Sequence, residues 1–304
     1  MFHNKGTLYF HKLLLPLWLI ITQMKRNTLY ISDLDGTLLN KDSVISEFSR
    51  QTLSKLNSEG SKITVATART PATADILVKD CGITVPMIVI TGAAYWSYAD
   101  KNYISPTVMS RNTANFLLET FDNYNISPFV YSFSSTPRLL SRLDVYHKYP
   151  VLNNREHDFY DDRKNLKTFF IGEQIPEEKR DKIILMFAIG PTKNIKPLAE
   201  KLKQTGCCSV SDYPDIFDPE SSLIEVFAPD VSKANAVTNL KKMLGADRVV
   251  VFGDNLNDIS MMQVADVAVA VSNAFPEVKE AADIVIGSND DDAVAKFILE
   301  DFHS

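Results

Sequence analysis

The sequence has few cysteines, no excess of positive charge and no long apolar run. Cys81, Cys207 and Cys208 lack the spacing of a zinc site, and adjacent cysteines rarely pair, so we expect reduced thiols. The formal net charge is -6, and the absence of a basic stripe argues against nucleic-acid binding. With 45% hydrophobic and 23% charged residues, the composition is typical of a soluble globular protein. We predict a cytoplasmic protein.

The apolar run LLLPLWLII spans residues 13–21. It is shorter than the ~20 residues that a transmembrane helix needs, and Pro16 interrupts it, so we expect no stable membrane association. A signal peptide would end in a small-residue cleavage site, but TQMKRN follows the run. We expect Met24 to be the native start, which makes residues 1–23 an extension outside the native protein. An N-terminal mass that includes residues 1–23 would contradict this.

Apolar strands alternate with helices near both ends of the chain. The predicted strands are 28–35, 62–67, 87–91, 248–254, 267–271 and 283–287, and the predicted helices are 46–60, Thr70 toward Gly82, 233–245 and 256–265. This alternation indicates a Rossmann-like parallel sheet with helices on both faces. The region 93–226 has mixed, aromatic strands and predicts an inserted α+β domain. We therefore predict a core domain at 24–92 and 227–304, with a cap domain at 93–226.

Two acidic residues stand at the C-terminal end of the first predicted strand, in the segment Asp33-Leu34-Asp35-Gly36-Thr37. In an open α/β sheet, ligands bind at the carboxyl ends of the strands. The two aspartates are either solvated carboxylates in a turn, or a nucleophile beside a general acid/base whose charge a cation offsets. We favour the second interpretation, because nothing structural needs two acids after a buried run.

Further polar residues stand where other predicted strands end or helices begin. The segment GDNLND (253–258) offers carboxylates that suit Mg²⁺, whereas helix capping accounts for only one of its residues. Thr67 is either a helix cap or a hydroxyl donor to a phosphate oxygen. Lys233 starts a helix, where the helix dipole disfavours a cation, so it is either solvated or reaches an anion.

In chain order these segments read D-x-D-G-T, T-x-R, K and G-D-x-x-N-D. This order resembles the haloacid dehalogenase-like (HAD) phosphatases, in particular the Cof-type branch of subfamily IIB with a C2B-type α+β cap. The resemblance covers residues 27–300, and it is carried by DLDGTLL, VSKANAV, VVVFGDNLNDISMM and AVAVSNAFPEVKEAADIVIGSNDDDAVAKFI.

The resemblance implies a Mg²⁺-dependent phosphatase that acts on small phosphorylated metabolites through an aspartyl-phosphate. Asp33 would be the nucleophile and Asp35 the general acid/base. The metal site would include Asp33, Asp35 (through its main-chain carbonyl), Asp254 and Asp258. The substrate phosphate would contact Thr67, Ala68, Lys233 and Asn257.

Two positions depart from the family pattern. Ala68 stands where the family usually has glycine, and its methyl group would crowd the loop if that position needs positive φ. Thr91 precedes Gly92 where Asn-Gly is common in the family. The polar segment 207–222 is our candidate for substrate specificity.

The alternatives to a phosphatase are a phosphomutase-like phosphotransferase, or a non-catalytic sensor of phosphorylated metabolites. The four residues Asp33, Asp35, Lys233 and Asp254 argue against a sensor, since binding alone does not need a nucleophile. We expect a monomer or weak homodimer.

Overall fold

The computed structural model describes residues 27–134, 142–150, 152–215 and 217–304, so the prediction for residues 1–23 lies outside the described residues. The strands in the described residues are β1 (Thr28–Ser32), β2 (Lys62–Val65), β3 (Met87–Val89), β4 (Ala94–Ser97), β5 (Asn102–Ile104), β6 (Phe129–Phe133), β7 (Leu143–His147), β8 (Phe169–Ile171), β9 (Ile183–Pro191), β10 (Ser209–Pro214), β11 (Ser221–Phe227), β12 (Arg248–Gly253), β13 (Val267–Ala270) and β14 (Ile284–Val285).

The α-helices in the same residues are α1 (Glu47–Ser58), α2 (Pro71–Ala74), α3 (Arg111–Asn123), α4 (Asn154–Asp161), α5 (Thr192–Lys203), α6 (Lys233–Leu244), α7 (Ile259–Met262), α8 (Pro276–Ala281) and α9 (Ala293–His303). Within the described ranges, no helix is both long enough and apolar enough to cross a membrane.

The first sheet is parallel, with strand order β14-β13-β12-β1-β2. Every residue of β1 is buried, because β1 pairs with β12 on one side and β2 on the other. A bridge between Ala66 and Ile88 places β3 beside the end of β2, and β3, β4 and β5 form an antiparallel extension. The parallel order brings the carboxyl ends of β1, β2 and β12 to one edge of the sheet.

The second sheet has strand order β10-β11-β9-β6-β7-β8 and is antiparallel except between β7 and β8. Helix α5 packs against β9, β10 and β11. We call this sheet with α3, α4 and α5 the cap. The predicted fold class, a parallel α/β sheet with an inserted α+β unit, is confirmed. The domain limits at residues 93 and 226 stay predictions.

Some predicted elements differ from the structure. Helix α2 starts at Pro71 as predicted but ends at Ala74, and most of the backbone bonds that follow, such as Leu77 N–H to the Ala74 carbonyl, close three-residue turns. The helix predicted at 256–265 is a 3₁₀ turn at Leu256–Asp258 followed by the short α7. Strands β4, β5, β7, β10 and β11 were not predicted, because their apolar patterns are short or interrupted by polar residues and become ordered only by pairing.

Candidate active site

Lys233 joins the ends of β1 and β12 through two carboxylates. Its Nζ donates hydrogen bonds to Asp33 Oδ1 at 2.6 Å and to Asp258 Oδ1 at 2.7 Å. All three side chains are nearly excluded from solvent, with Lys233 only 1% exposed. The lysine at the start of α6 therefore reaches an anion, which is the alternative that the sequence analysis left open. A buried ammonium at this helix end is compensated by charge rather than by water.

Asp258 is held by the loop after β12. Its Oδ2 accepts hydrogen bonds from the backbone N–H groups of Asp254 and Asn255, both at 3.1 Å. This arrangement closes the 3₁₀ turn that follows Asn255 and fixes Oδ1 toward Lys233. Asp258 thus orients the lysine while it caps its own turn.

Gly36 lets the loop after β1 pass close to Asp254. Its φ is +78°, and a Cβ at this position would lie 2.3 Å from Asp254 Oδ2. The Thr37 hydroxyl donates to Asp254 Oδ1 at 2.7 Å, so this carboxylate is fixed by the first loop. The opposite side of the loop is held by Asn273, whose Nδ2 donates to the Gly36 carbonyl at 2.7 Å. We assigned no role to Thr37 or Asn273 from sequence, although both lie in the segments that carry the family resemblance.

Negative charge exceeds positive charge in this cluster. One carboxylate oxygen each from Asp33, Asp254 and Asp258 lies within 4.8 Å of the others. Burial and the neighbouring carboxylates raise the pKa of Asp33 above its usual range, although Lys233 opposes them. Burial, with the charges of Asp258 and Asp35, raises the pKa of Asp254 to about 6. Burial alone would lower the pKa of Lys233, but Asp258 and Asp33 outweigh it and raise that pKa.

The same charge excess fits a divalent cation. Three carboxylates around one ammonium leave a net negative charge that a hard cation with oxygen ligands would neutralise. Asp254 is the best placed of the three to bind a metal, because Asp33 and Asp258 also accept hydrogen bonds from Lys233. The donor set is that expected for Mg²⁺, which is commonly bound through one or two carboxylates.

The Asp35 carboxylate pairs with Arg69 and is not part of the three-carboxylate cluster. Its two oxygens accept hydrogen bonds from Arg69 Nε at 2.7 Å and from Arg69 Nη2 at 2.6 Å. The side chain is 52% exposed. The predicted metal contact of Asp35 was through its main-chain carbonyl, so this side-chain arrangement does not test it. We assigned Arg69 no role from sequence.

The predicted phosphate-binding residues differ in their burial and in their hydrogen bonds. Thr67 is buried, and its hydroxyl accepts a hydrogen bond from the Arg69 N–H at 3.1 Å. Ala68 does not have positive φ, so its methyl group does not crowd the loop as it would in that conformation. Asn257 is half-buried, and the described residues provide no hydrogen-bond partner for its side chain.

Thr91 is the position where the departure from the family pattern affects the backbone. Its φ is 54° and its ψ is 24°, a left-handed conformation that is unusual for a β-branched residue. The Thr91 hydroxyl donates to Glu225 Oε2 at 3.3 Å, which links the loop after β3 to strand β11 of the cap. No sequence pattern predicted a role for Glu225.

A cleft of about 1460 Å³ lies between the loops of the parallel sheet and the cap. Ala68, Arg69 and Asn255 line it from the sheet side, and Glu225 lines it from the cap. Asp254 of the carboxylate cluster directly precedes the cleft-lining Asn255 in the chain, and Thr67 directly precedes the cleft-lining Ala68. Tyr213, Pro214, Asp215 and Phe217 also line the cleft, so part of the predicted specificity segment 207–222 faces it.

Comparison with known families identifies the chain. The model of the haloacid dehalogenase-like hydrolases matches residues 30–298. The chain belongs to this family. The predicted family and its hydrolase class are therefore confirmed.

Individual relatives are similar over most of this HAD chain. The 5-amino-6-(5-phospho-D-ribitylamino)uracil phosphatase YwtE of Bacillus subtilis is 29% identical over 88% of this chain and 95% of its own length. A chloroplastic endoribonuclease YBEY of Arabidopsis thaliana is 27% identical over 88% of this chain, which spans only 45% of that protein. A solved HAD-like hydrolase from Bacteroides thetaiotaomicron has the same fold, with a TM-score of 0.70 and 21% identity over 90% of this chain and 98% of its own.

Proposed function

We propose that this HAD protein is a Mg²⁺-dependent phosphatase that hydrolyses small phosphorylated metabolites through an aspartyl-phosphate. The observation that carries the proposal is the buried contact of Lys233 with Asp33 and Asp258, beside Asp254 and next to a large cleft. Phosphoryl transfer depends mainly on positioning and on positive charge around the phosphoryl oxygens. The phosphatase name of the YwtE relative supports the same reaction class.

Asp33 is the proposed nucleophile. Its carboxylate attacks phosphorus, the bond from phosphorus to the leaving oxygen breaks, and Asp35 in its acid form gives that oxygen a proton. Asp35 then takes a proton from water, the water oxygen attacks phosphorus, and the bond to Asp33 breaks. This sequence releases phosphate and restores both aspartates. It requires Asp35 to leave its ion pair with Arg69.

The other residues have positioning and binding roles in this proposal. Lys233 holds Asp33 and adds positive charge, and Thr67, Ala68 and Asn257 contact the phosphoryl group. Asp33, the main-chain carbonyl of Asp35, Asp254 and Asp258 form the metal site. When bound, Mg²⁺ supplies positive charge to the phosphoryl oxygens.

Phosphate release from a panel of phosphorylated metabolites, with Mg²⁺ and with EDTA, tests this proposal. Wild type should show metal-dependent turnover, and Asp33→Asn should lose it. Asp181→Asn is the matched control, because Asp181 forms an exposed ion pair with Arg111. Turnover that survives in Asp33→Asn would contradict the nucleophile. Phosphoryl transfer to a sugar without phosphate release would instead indicate a mutase, and Mg²⁺-dependent ligand binding without either reaction would indicate a sensor.

A further inference from the structure

The cap forms a wall of the cleft that is mostly apolar. Glu225 pairs with Phe187 across β11 and β9, and Tyr131 pairs with Leu185 across β6 and β9. Because side chains alternate along a strand, the same face of the sheet carries every second residue. The residues of β6, β7 and β9 on this face that line the cleft are Tyr131, Leu143, Val145, Leu185, Phe187 and Ile189.

Flat side chains extend this wall. The Phe159 ring from α4 lies 4.8 Å from the Phe187 ring and 6.3 Å from the Phe169 ring, measured between centroids. All three residues line the cleft. Such a surface favours contact with a planar, weakly hydrated group over a sugar, whose hydroxyls need several polar partners.

Arg163 adds a planar cation at this wall. Its guanidinium carbon lies 4.0 Å from the centre of the Phe159 ring, and Nη1 donates to the Phe159 carbonyl at 2.9 Å. The nearest carboxylate is that of Asp162 at 3.7 Å, and Asp162 is 80% exposed. The charge of Arg163 is therefore only weakly compensated, and its remaining N–H groups are available to an acceptor in the cleft.

Glu225 is a hydrogen-bond acceptor that lines the same cleft as the Arg163 donors. It is 6% exposed, and no ion pair to it is found among the described residues. Tyr131 lies near enough to both Glu225 and Arg163 for their charges to act on its hydroxyl. Glu225 is also within electrostatic range of Lys233, and Arg163 is within range of Arg69. Both Glu225 and Arg163 line the cleft.

We propose that Glu225 and Arg163 bind a flat, hydrogen-bonding ring in the leaving group of the substrate, with a donor toward Glu225 and an acceptor toward Arg163. This inference rests on the proposed phosphatase function and specifies its substrate class as phosphate esters of ring-bearing alcohols. A ring stacked on the aromatic wall would give Glu225 a donor in addition to Thr91 and give the remaining N–H groups of Arg163 an acceptor, whereas a substrate without such a ring would provide neither contact.

Two pairs of substrates isolate the contribution of the ring. Uridine 5′-monophosphate is compared with ribose 5-phosphate, and riboflavin 5′-phosphate with ribitol 5-phosphate, while acetyl phosphate serves as a ringless reference. In at least one pair, we expect kcat/KM to be about tenfold or more higher for the member that carries the flat nitrogenous ring, uridine 5′-monophosphate or riboflavin 5′-phosphate. Equal or lower values in both pairs would overturn the inference, while hydrolysis of the ringless substrates would leave the phosphatase proposal standing.

Variants then assign the preference to the two residues. Glu225→Gln removes the charge, and Arg163→Lys keeps the charge but removes the planar fork. Each should reduce the ring preference about fivefold or more, mainly through KM for the ring-bearing substrate, with little change for acetyl phosphate. Arg111→Lys, whose guanidinium contacts Glu177 and Asp181 outside the cleft, is the control. An equal loss with acetyl phosphate would indicate a structural role and overturn the assignment.

A ligand-binding measurement tests the inference even if the protein hydrolyses none of these substrates. If no substrate is hydrolysed, the proposed function fails, but stacking of riboflavin 5′-phosphate on the wall can still be measured by quenching of its fluorescence. We expect wild type to quench the fluorescence of riboflavin 5′-phosphate, and ribitol 5-phosphate at the same concentration should not reverse this quenching. The quenching should be weaker in Arg163→Lys. Unchanged quenching in Arg163→Lys, or no quenching in wild type, would overturn the inference.

Discussion

Lys233 Nζ lies 2.6 Å from Asp33 Oδ1, although the two residues are 200 positions apart in the chain. The Lys233→Met substitution would leave Asp33 and Asp258 buried without this cation. We expect it to lower the free energy of unfolding by about 3–5 kcal/mol, because one partner of a buried ion pair then remains uncompensated. Urea unfolding in the presence of EDTA measures this change.

Lys241→Met is the matched control for this substitution. Lys241 lies on the same helix α6 and pairs with Asp266, but both side chains are at least 30% exposed. Its removal should cost less than about 1 kcal/mol. The double variant Lys233→Met with Asp33→Asn should recover part of the lost stability but no activity. Equal losses in Lys233→Met and Lys241→Met would contradict the prediction.

The order of the parallel sheet explains why much of the site could be predicted. Asp33 and Asp254 directly follow apolar runs, and a parallel sheet brings the carboxyl ends of its strands to one edge. The sequence did not show that β1 and β12 are neighbours, since strand order depends on contacts between distant segments. The family resemblance was needed to place Lys233 beside Asp33.

Side-chain direction and long-range pairing account for what could not be predicted. The Asp35 carboxylate turns toward Arg69, and nothing in the spacing of these residues fixes that direction. Glu225 reads as one polar residue in an apolar strand until pairing with β9 and β10 places it at the cleft. Strand β10 was missed because its polar residues become ordered only by pairing with β11.

Gly36→Ala should disturb the metal site. The added Cβ would lie 2.3 Å from Asp254 Oδ2, so that carboxylate must move. We expect Mg²⁺ to raise the unfolding temperature of wild type, because a ligand that binds only the folded state stabilises it. This increase should be lost or strongly reduced in Gly36→Ala, as measured by thermal unfolding with Mg²⁺ and with EDTA.

Gly60→Ala is the control that separates the steric contact with Asp254 from the strain of positive φ. Gly60 also has positive φ, +94°, but a Cβ there would meet nothing within 4 Å. It should lose about 1 kcal/mol of stability and keep the full response to Mg²⁺. The prediction for Gly36 fails if both variants respond to Mg²⁺ equally.

Thr91→Asn should stabilise the protein. Thr91 has φ 54°, and asparagine adopts this left-handed conformation more readily than a β-branched residue does. We expect an increase of about 0.5–1 kcal/mol in the free energy of unfolding, measured by urea denaturation. Thr91→Val is the control, since it keeps the strain and loses the hydroxyl bonded to Glu225, and it should be destabilising. A less stable Asn variant would refute the strain argument.

Glu225 should make stability depend on pH near neutrality. Burial raises its pKa from 4.5 to about 7, against the smaller opposing effects of Thr91, Lys233 and Tyr213. The folded state therefore holds the proton more tightly than the unfolded state does. This favours the folded protein fully below pH 4.5, and the benefit declines as pH rises to about 7, above which no further change from this group is expected.

Glu225→Gln removes this titration. Relative to wild type, the variant should gain stability between pH 4.5 and about 7, by up to the order of 3 kcal/mol, since one pKa unit corresponds to about 1.4 kcal/mol. Urea unfolding of both proteins at several pH values measures this difference in the free energy of unfolding. Glu178→Gln is the control for the general loss of one negative charge, because Glu178 is exposed. A difference that is constant across this pH range would mean that Glu225 ionises equally in the folded and unfolded chains, which its burial against Thr91 argues against.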